Sequence, residues 1–443
     1  MQKRLANWGN YPAVASDENV FTQEAQLRKF VVSNTHMIAR GNGRCYGDAS
    51  LGEHSISMLR YDKVLAFDKE NGILEAQAGV TLDQILDIIV PHGWFLPVTP
   101  GTKYITLGGA VASDVHGKNH HVDGSFSGHI IDMDIITGNG ETICCSHTAH
   151  TDLFWATCGG MGLTGVITRI KFSLKKISTA YIKQTQIKAS NLEEVIRLFD
   201  EYKHYTYSMA WIDCLQKGDS FGRSILIVGE HAAPEELSAK QKEAPLKLPA
   251  KRKLSVPFNL PSFVLNTFTV KAFNWLYYGK NYKKEMHKVI PYEPFFYPLD
   301  AILHWNRGYG KAGFVQYQFV LPLNKKEGLV TILKRISDKG WGSFLAVLKV
   351  FGQQDSLISF PMEGYTLALD FPVRNGLLPF LDELDEIVLQ YGGRLYLSKD
   401  ARMKQEIFWN SYPNAAKFAA IVQQYNTNNR FVSLQSERLL LTK

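Results

Sequence analysis

Cysteine is scarce in this chain: five residues among 443, at Cys45, Cys144, Cys145, Cys158 and Cys214. An odd number without regular spacing argues against a disulfide framework, and adjacent Cys144-Cys145 is not a metal-site spacing. No uncharged apolar run is long enough to span a bilayer. There is no Lys/Arg-rich tail and no zinc-finger spacing, so nothing points to nucleic acid. No internal repeat is evident. The first ten residues lack the apolar run of a secretory signal, and the expectation is a cytoplasmic protein with reduced thiols.

What remains is an ordinary globular composition, 45% hydrophobic and 21% charged. The chain is too long for one core, so two domains are expected. Net charge is +7, a mild excess that suits anionic ligands or an anionic membrane surface.

Periodicity gives the elements. Thr81 and Gln84 form a capping-box pattern ahead of Leu82, Ile85, Leu86 and Ile89, which predicts a helix over 81–90 stopped by Pro91-His92-Gly93. Strands are expected at 73–80, 130–137 and 166–174. Further on, a helix follows Asn191, and two more are expected at 325–339 and 377–391, the last closed by Gly392-Gly393. Strands at 314–320, 344–351 and 365–371 lie among them. Strand runs with few helices predict an α+β middle domain on a largely antiparallel sheet. Residues 240–284 differ in composition. Lys251-Arg252-Lys253 sits among Leu254, Phe258, Phe263, Phe268, Phe273, Trp275 and Leu276, and Pro249, Pro257 and Pro261 break up any long helix. This reads either as a mobile surface insertion whose apolar residues fold back on the core or as a basic, apolar flap that rests on a membrane surface or admits a greasy substrate.

Three segments carry chemistry. The first, Arg40-Gly41-Asn42-Gly43-Arg44-Cys45-Tyr46-Gly47-Asp48, is a glycine turn flanked by arginines, suited to a pyrophosphate. The second runs from Gly108-Gly109 through Asp114, His116, Lys118 and Asn119 to His121. Bare backbone there is followed by titratable groups, which suggests a bulky phosphorylated cofactor beside acid/base residues. The third holds a literal G-x-G-x-x-G at Gly160, Gly162 and Gly165. Its helix-like part precedes the glycines and its strand follows them, the reverse of a dinucleotide-binding Rossmann unit, which is therefore rejected.

In order and spacing these segments resemble the flavin-binding domain of the vanillyl-alcohol-oxidase type (PCMH-type) family. Tyr205-Thr206-Tyr207-Ser208-Met209-Ala210-Trp211, Phe296-Tyr297-Pro298-Leu299-Asp300, Trp305-Asn306-Arg307, Gln316-Tyr317-Gln318-Phe319 and 393–402 resemble the branch of that family that oxidises polyprenylphosphoryl sugars. The resemblance implies an α+β, two-domain fold. Residues 1–178 would form the FAD-binding domain and 179–394 an inserted substrate domain on an antiparallel sheet, with 395–443 returning to the FAD domain. It implies FAD contacts at Ala39, Arg40, Gly41, Asn42, Gly43, Arg44, Cys45, Tyr46, Gly47, Asp48, Ala49 and Gly101. Thr106, Leu107, Gly108, Gly109, Ser113, Asp114, Val115, His116, Ile167 and Tyr396 complete that set. Substrate contacts are implied at Tyr46, Lys118, Trp211, Tyr297, Gln316, Gln318 and Lys349.

Some family members attach FAD through a histidine in the first loop. That position is Arg44 here, and the cysteine others use has no counterpart around Gly101-Thr102, so non-covalent FAD is expected. No metal is expected. His116 and Lys399 are the catalytic candidates. His116 titrates near neutrality unperturbed, whereas Lys399 would need its pKa lowered to accept a proton. Where the family carries Asn-x-Cys at the pocket floor, this chain reads Thr366-Leu367-Ala368.

The implied activity is oxidation of a sugar secondary alcohol, the 2′-hydroxyl of a polyprenylphosphoryl-β-D-ribose, to a ketone, half of an epimerisation to arabinose. A short-chain dehydrogenase/reductase partner would complete it, and a lipid-linked substrate would place the protein at the inner face of a membrane. The rivals are a flavin oxidase of soluble alditols or aldonolactones and a flavin-carrying electron-transfer or binding protein.

Overall fold

The computed structural model describes residues 2–249, 253–261, 264–343 and 345–442. Ala250, Lys251, Arg252, Ser262, Phe263 and Phe344, named in part above, lie outside them.

Among the described residues, the first 180 build two larger sheets and a two-stranded pairing of Trp94–Phe95 with Lys175–Lys176. One runs in the order Gln2–Ala6, Ala13–Val20, His54–Ser57, Met37–Arg40, with parallel pairing on both sides of His54–Ser57. The other is antiparallel, in the order Val64–Asp68, Ile73–Gln77, Val166–Ser173, Ile130–Ile136, Thr142–Ser146. The helix Leu82–Ile89 starts as its sequence demands. The Thr81 hydroxyl accepts from the Gln84 amide at 3.3 Å, and the Gln84 side chain accepts from the Thr81 amide at 2.8 Å. Its Leu82, Ile85, Leu86 and Ile89 are fully buried.

The largest sheet has eight strands, ordered Glu285–Pro291, Tyr181–Ala189, Ser224–His231, Tyr207–Ile212, Ala346–Phe351, Gly364–Pro372, Phe314–Leu321, Arg394–Leu395. Every neighbouring pair is antiparallel. The helices Leu192–Glu201, Lys326–Lys339 and Leu377–Gln390 cover one face of it. Ala210, Ile212, Tyr317, Phe319, Leu348, Leu367 and Leu369 turn to those helices and share one core with them. Alternation along each strand therefore sends the intervening residues to the opposite face.

After Arg394 the chain returns to the first half. Met37 is bracketed by the C-terminal segment, its amide donating to Arg430 O and its carbonyl accepting from Val432 N, both at 2.8 Å. Arg438 bridges Asp48 and Asp400 at 2.8 Å each, and Arg402 binds Asp382 and Asp385 at 2.6 Å.

Several elements go beyond the sequence expectations, and one of them bears on the site: in the proline-broken stretch near 260, a helix spans Thr267–Gly279. Asn266 caps it, its side-chain oxygen accepting from the amides of Phe268 and Thr269 at 2.8 and 3.0 Å. The prolines precede this helix rather than interrupt it.

Candidate functional site

The face of the large sheet that points away from the helices forms one wall of a cavity. Met209, Trp211, Gln316, Gln318, Val347, Lys349 and Ala368 all reach it, each two residues from the next on its strand where two come from one strand. The opposite wall comes from loops of the first half: 39–46, 99–102, 105–118 and 161–167 in part. Phe273 and Tyr277, from one side of the Thr267–Gly279 helix, close a further side, with Tyr277 4.8 Å from the Trp211 ring. The volume open to the centre of a water molecule is about 480 Å³, in the range of cofactor and ligand sites.

The glycines do two different jobs. A Cβ on Gly41 would lie 2.2 Å from the Thr106 hydroxyl, and one on Gly108 would lie 2.8 Å from Ala78 Cβ. Bareness there lets protein elements meet each other. Gly101 is different: a Cβ would meet nothing within 4 Å, so its face opens on the cavity. The arginines of the first loop are likewise divided. Arg40 is spent on the protein, donating to Asn7, to Ser50 and to Ala6 O. Arg44 lies flat on Trp8 at 3.9 Å with Tyr104 beside it, its charge facing the cavity wall.

Among the described residues, three lysines reach the cavity. Burial pulls Lys118 down to about 7, with Lys349 adding repulsion, and pulls Lys349 to about 8. Lys118 donates to Phe295 O and sits 4.5 Å from that residue's ring. Lys399 lies 3.8 Å above the Tyr46 ring. Burial pulls it to about 7 against the upward pull of Asp370 and Cys45. Grouping three ammonium groups in one apolar-walled hollow is unfavourable unless an anion joins them.

His116 is 7% exposed, packed among Phe351, Phe360 and Tyr396. Burial first, then Lys349, His120 and Lys399, hold its pKa well below the ordinary range, so the imidazole is neutral. The residue type alone suggested a base near neutrality; its surroundings correct that. Its Nδ1 faces Lys349 Nζ at 3.4 Å and its Nε2 faces the Gln318 carboxamide at 3.2 Å. A neutral imidazole has one N–H. With the Lys349 ammonium donating to Nδ1, that N–H is on Nε2 and needs an acceptor. The Gln318 carboxamide turns its Nε2 to this point, donating to the Thr366 hydroxyl at 3.3 Å, so accepting the imidazole N–H takes the carboxamide in its other orientation.

Comparison with known proteins adds the chemistry. Residues 20–146 match the FAD binding domain family. The chain is 38% identical over 99% of its length to decaprenylphosphoryl-beta-D-ribose oxidase of Mycolicibacterium smegmatis, covering 98% of that protein. The chain belongs to the decaprenylphosphoryl-β-D-ribose oxidase family. It is an FAD-dependent oxidoreductase. An uncharacterized Streptomyces coelicolor protein is 31% identical over 81% of this chain and all of its own length. A putative D-arabinono-1,4-lactone oxidase of Neurospora crassa is 30% identical, over only 26% of this chain and 21% of its own.

Against this oxidase family, the placement of the expected residues is as follows. Ala39 to Tyr46, Ala49, Gly101, Thr106, Gly108, Gly109, Ser113, Val115, His116, Ile167 and Tyr396 line the cavity, as do Lys118, Trp211, Gln316, Gln318, Lys349 and Lys399. The open face at Gly101 and the concentrated positive charge fit a flavin cofactor carrying a pyrophosphate.

Five expected residues stand behind the wall. Asp48 is held by Arg438, and Gly47 is pressed so closely on Asp400 that a Cβ would lie 1.5 Å from its carbonyl oxygen. Leu107 is fully buried in the core of the first half. Asp114 accepts from Ser359 Oγ at 2.6 Å and from Gln354 Nε2 and the Ser127 amide at 3.0 Å, anchoring the turn that presents His116. The Tyr297 hydroxyl is 2.7 Å from Thr99 Oγ1, while its neighbours Phe296 and Pro298 reach the cavity. His120 and His121, adjacent in sequence, are engaged separately, with Gln354 and with Tyr205 O, each at 2.9 Å. Sequence reasoning missed Trp8, Met161, Phe273, Tyr277 and Asp300 on the wall. Gly162 and Gly165, flanking the third motif's Leu163-Thr164, were the nearest signal for Met161.

Proposed function

We propose that this protein oxidises the 2′-hydroxyl of a polyprenylphosphoryl-β-D-ribose to the 2′-ketone, the first half of an epimerisation to arabinose. Residues 1–178 and 395–443 hold FAD, and 179–394 hold the substrate. One observation carries the reading: a cavity reached by three partly buried lysines and two strand glutamines is closed by a helix whose outer face is apolar and exposed. The lysines suit a sugar phosphate, the glutamines its hydroxyls, and the helix its lipid.

The first loop, Gly101, Thr106, Gly108, Gly109, Ser113 to His116, Ile167 and Tyr396 would hold FAD, which would supply a hydride acceptor for the carbinol carbon. Lys399, near pKa 7, is half unprotonated at neutral pH and accepts the hydroxyl proton. His116 is a poor base with its Nδ1 lone pair engaged; it orients the substrate through Nε2 and Gln318. Lys118 and Lys349 receive the phosphate.

The Thr267–Gly279 helix exposes Phe268 (79%), Trp275 (68%) and Leu276 (62%), with Lys271, Lys280, Lys283 and Lys284 exposed around them. That pairing of apolar and basic groups suits the anionic inner face of a membrane, where a lipid-linked substrate resides. A short-chain dehydrogenase/reductase takes over the ketone.

Anaerobic titration of the FAD-loaded protein tests the reading. A prenylphosphoryl ribose should bleach the flavin within seconds, while alditols and aldonolactones at equal concentration should not. Bleaching by the soluble alcohols alone would make it an alditol or lactone oxidase. No bleaching by any alcohol would leave an electron-transfer or binding role.

A further inference from the structure

One buried charge near the cavity has no cation bound to it. Asp370 is 1% exposed on the Gly364–Pro372 strand, on the same face as Ala368. It lies directly opposite Gln316, whose Nε2 donates to Oδ1 at 2.6 Å. The Tyr309 hydroxyl donates to Oδ2 at 3.4 Å, and the backbone amide of Asp370 donates to Ser343 Oγ at 3.0 Å. Among the described residues it makes no ion pair. A leucine or asparagine would fill this place at lower cost, because a buried carboxylate without a partner is expensive.

The cation that acts on it, Lys399, does so across an intervening ring. Gln316 also bonds the Tyr46 side chain, and Lys399 Nζ rests on the Tyr46 ring. Carboxylate, carboxamide, phenol and ammonium therefore stand in one stack. In a medium of low polarity, such charges feel each other beyond contact distance.

We propose that Asp370 is a positioning residue that sets the charge state of Lys399, acting across Gln316 and Tyr46 without touching substrate or cofactor. This rests on the reading of Lys399 as the group beside the reacting alcohol. Burial holds the Asp370 carboxyl up at about 7, against the pull of Gln316, Lys399 and Tyr309. When ionised it raises the proton affinity of Lys399. Lys349, on the neighbouring strand, works the other way. Tyr46 and Tyr309 face the carboxylate from their own elements, and burial keeps both phenols protonated. On the far side, Asp370 borders a crevice of about 10 Å³ with Arg374, room for roughly one water.

The test uses FAD-loaded Asp370→Asn, which keeps the shape and the bond from Gln316. Brief acylation of amines with a small reagent, read by peptide mass spectrometry across pH, gives the midpoint at which Lys399 becomes reactive. This readout does not depend on turnover, so it stands even if no sugar bleaches the flavin. The Lys399 midpoint should fall by roughly half to one pH unit, while that of Lys349 stays in place. The limb of the flavin-bleaching pH profile that reports Lys399 should move acidward by the same amount. Tyr309→Phe, which removes one donor from the carboxylate and so weakens its charge, should give a smaller shift in the same direction, and it decides the matter if the asparagine variant fails to hold FAD. An unmoved Lys399 midpoint, or equal shifts at Lys399 and Lys349, would overturn the assignment.

Discussion

At the scale of single residues, the division of labour between Lys399 and His116 follows from what each is bonded to. Two bases in one pocket are usually separated by environment, and here the separation runs against their ordinary order. The lysine is brought down to neutrality, while the histidine is made too weak to hold a proton and has both nitrogens engaged. Lys399→Ala should leave FAD bound and slow anaerobic bleaching at least ~10²-fold. Lys399→Arg should be no better, since a guanidinium does not give up its proton. His116→Leu should raise KM more than it lowers kcat. The cavity wall also bears on how FAD is held. Among the described residues its one cysteine is Cys45, whose thiol is pushed up by burial and lies 3.4 Å from Ser50 Oγ. A protonated thiol is a poor nucleophile. Urea or acid should therefore release the yellow chromophore into the supernatant; colour that stays with the precipitate would contradict this.

At the scale of elements, one large antiparallel sheet supplies the polar wall because its other face is committed to three helices. Gln316 and Gln318 were legible beforehand as a strand pair two residues apart, and the Thr81–Gln84 cap was legible as a helix start, since both patterns are local. The Thr267–Gly279 helix was not. Its apolar residues follow no single stripe, because Phe273 and Tyr277 serve the cavity while Phe268, Trp275 and Leu276 face outward. Asp370 escaped notice for a related reason. In sequence it is one acid in an apolar strand, and only the register with Gln316 brings it near Lys399. The glycines were half legible: Gly101 faces the cavity as bare backbone should, but Gly41 and Gly108 serve protein contacts that no local pattern announces. The outward face of the helix carries its own prediction. Replacing Phe268 and Trp275 together by Asp should cut sedimentation with phosphatidylserine vesicles by ~10-fold or more. The same variant should bleach normally with a short-chain, water-soluble prenylphosphoryl ribose, because neither side chain lines the cavity.

At the scale of the whole molecule, the cavity's charges should leave a mark on stability. Lys118 and Lys399 near 7 and Lys349 near 8 are all lowered from the ordinary lysine value of 10.5. Each contributes stability that is complete above the unfolded-chain pKa and is lost as pH falls through the folded one. Asp370, raised from 3.8 to about 7, behaves in the opposite sense: its contribution is complete below 3.8 and is lost as pH rises through 7. The two trends meet near neutrality, so this cluster weakens the cofactor-free protein most at about the pH where the enzyme must work. Binding of an anionic cofactor or a sugar phosphate relieves the lysines, which makes ligand uptake and proton uptake one event. Lys349→Met removes one of these charges at nearly constant volume. Cofactor-free Lys349→Met should melt above the parent at pH 7, by on the order of 2 kcal/mol of added stability, and lose most of that advantage by pH 10, where the folded lysine is neutral and the unfolded one is approaching its own pKa of 10.5. With FAD and a prenylphosphoryl ribose bound, the order at pH 7 should reverse, because the ammonium then has its anion. Differential scanning calorimetry at the two pH values, with and without ligands, checks all of these orderings, and a variant that stays more stable than its parent when loaded would remove Lys349 from the phosphate site.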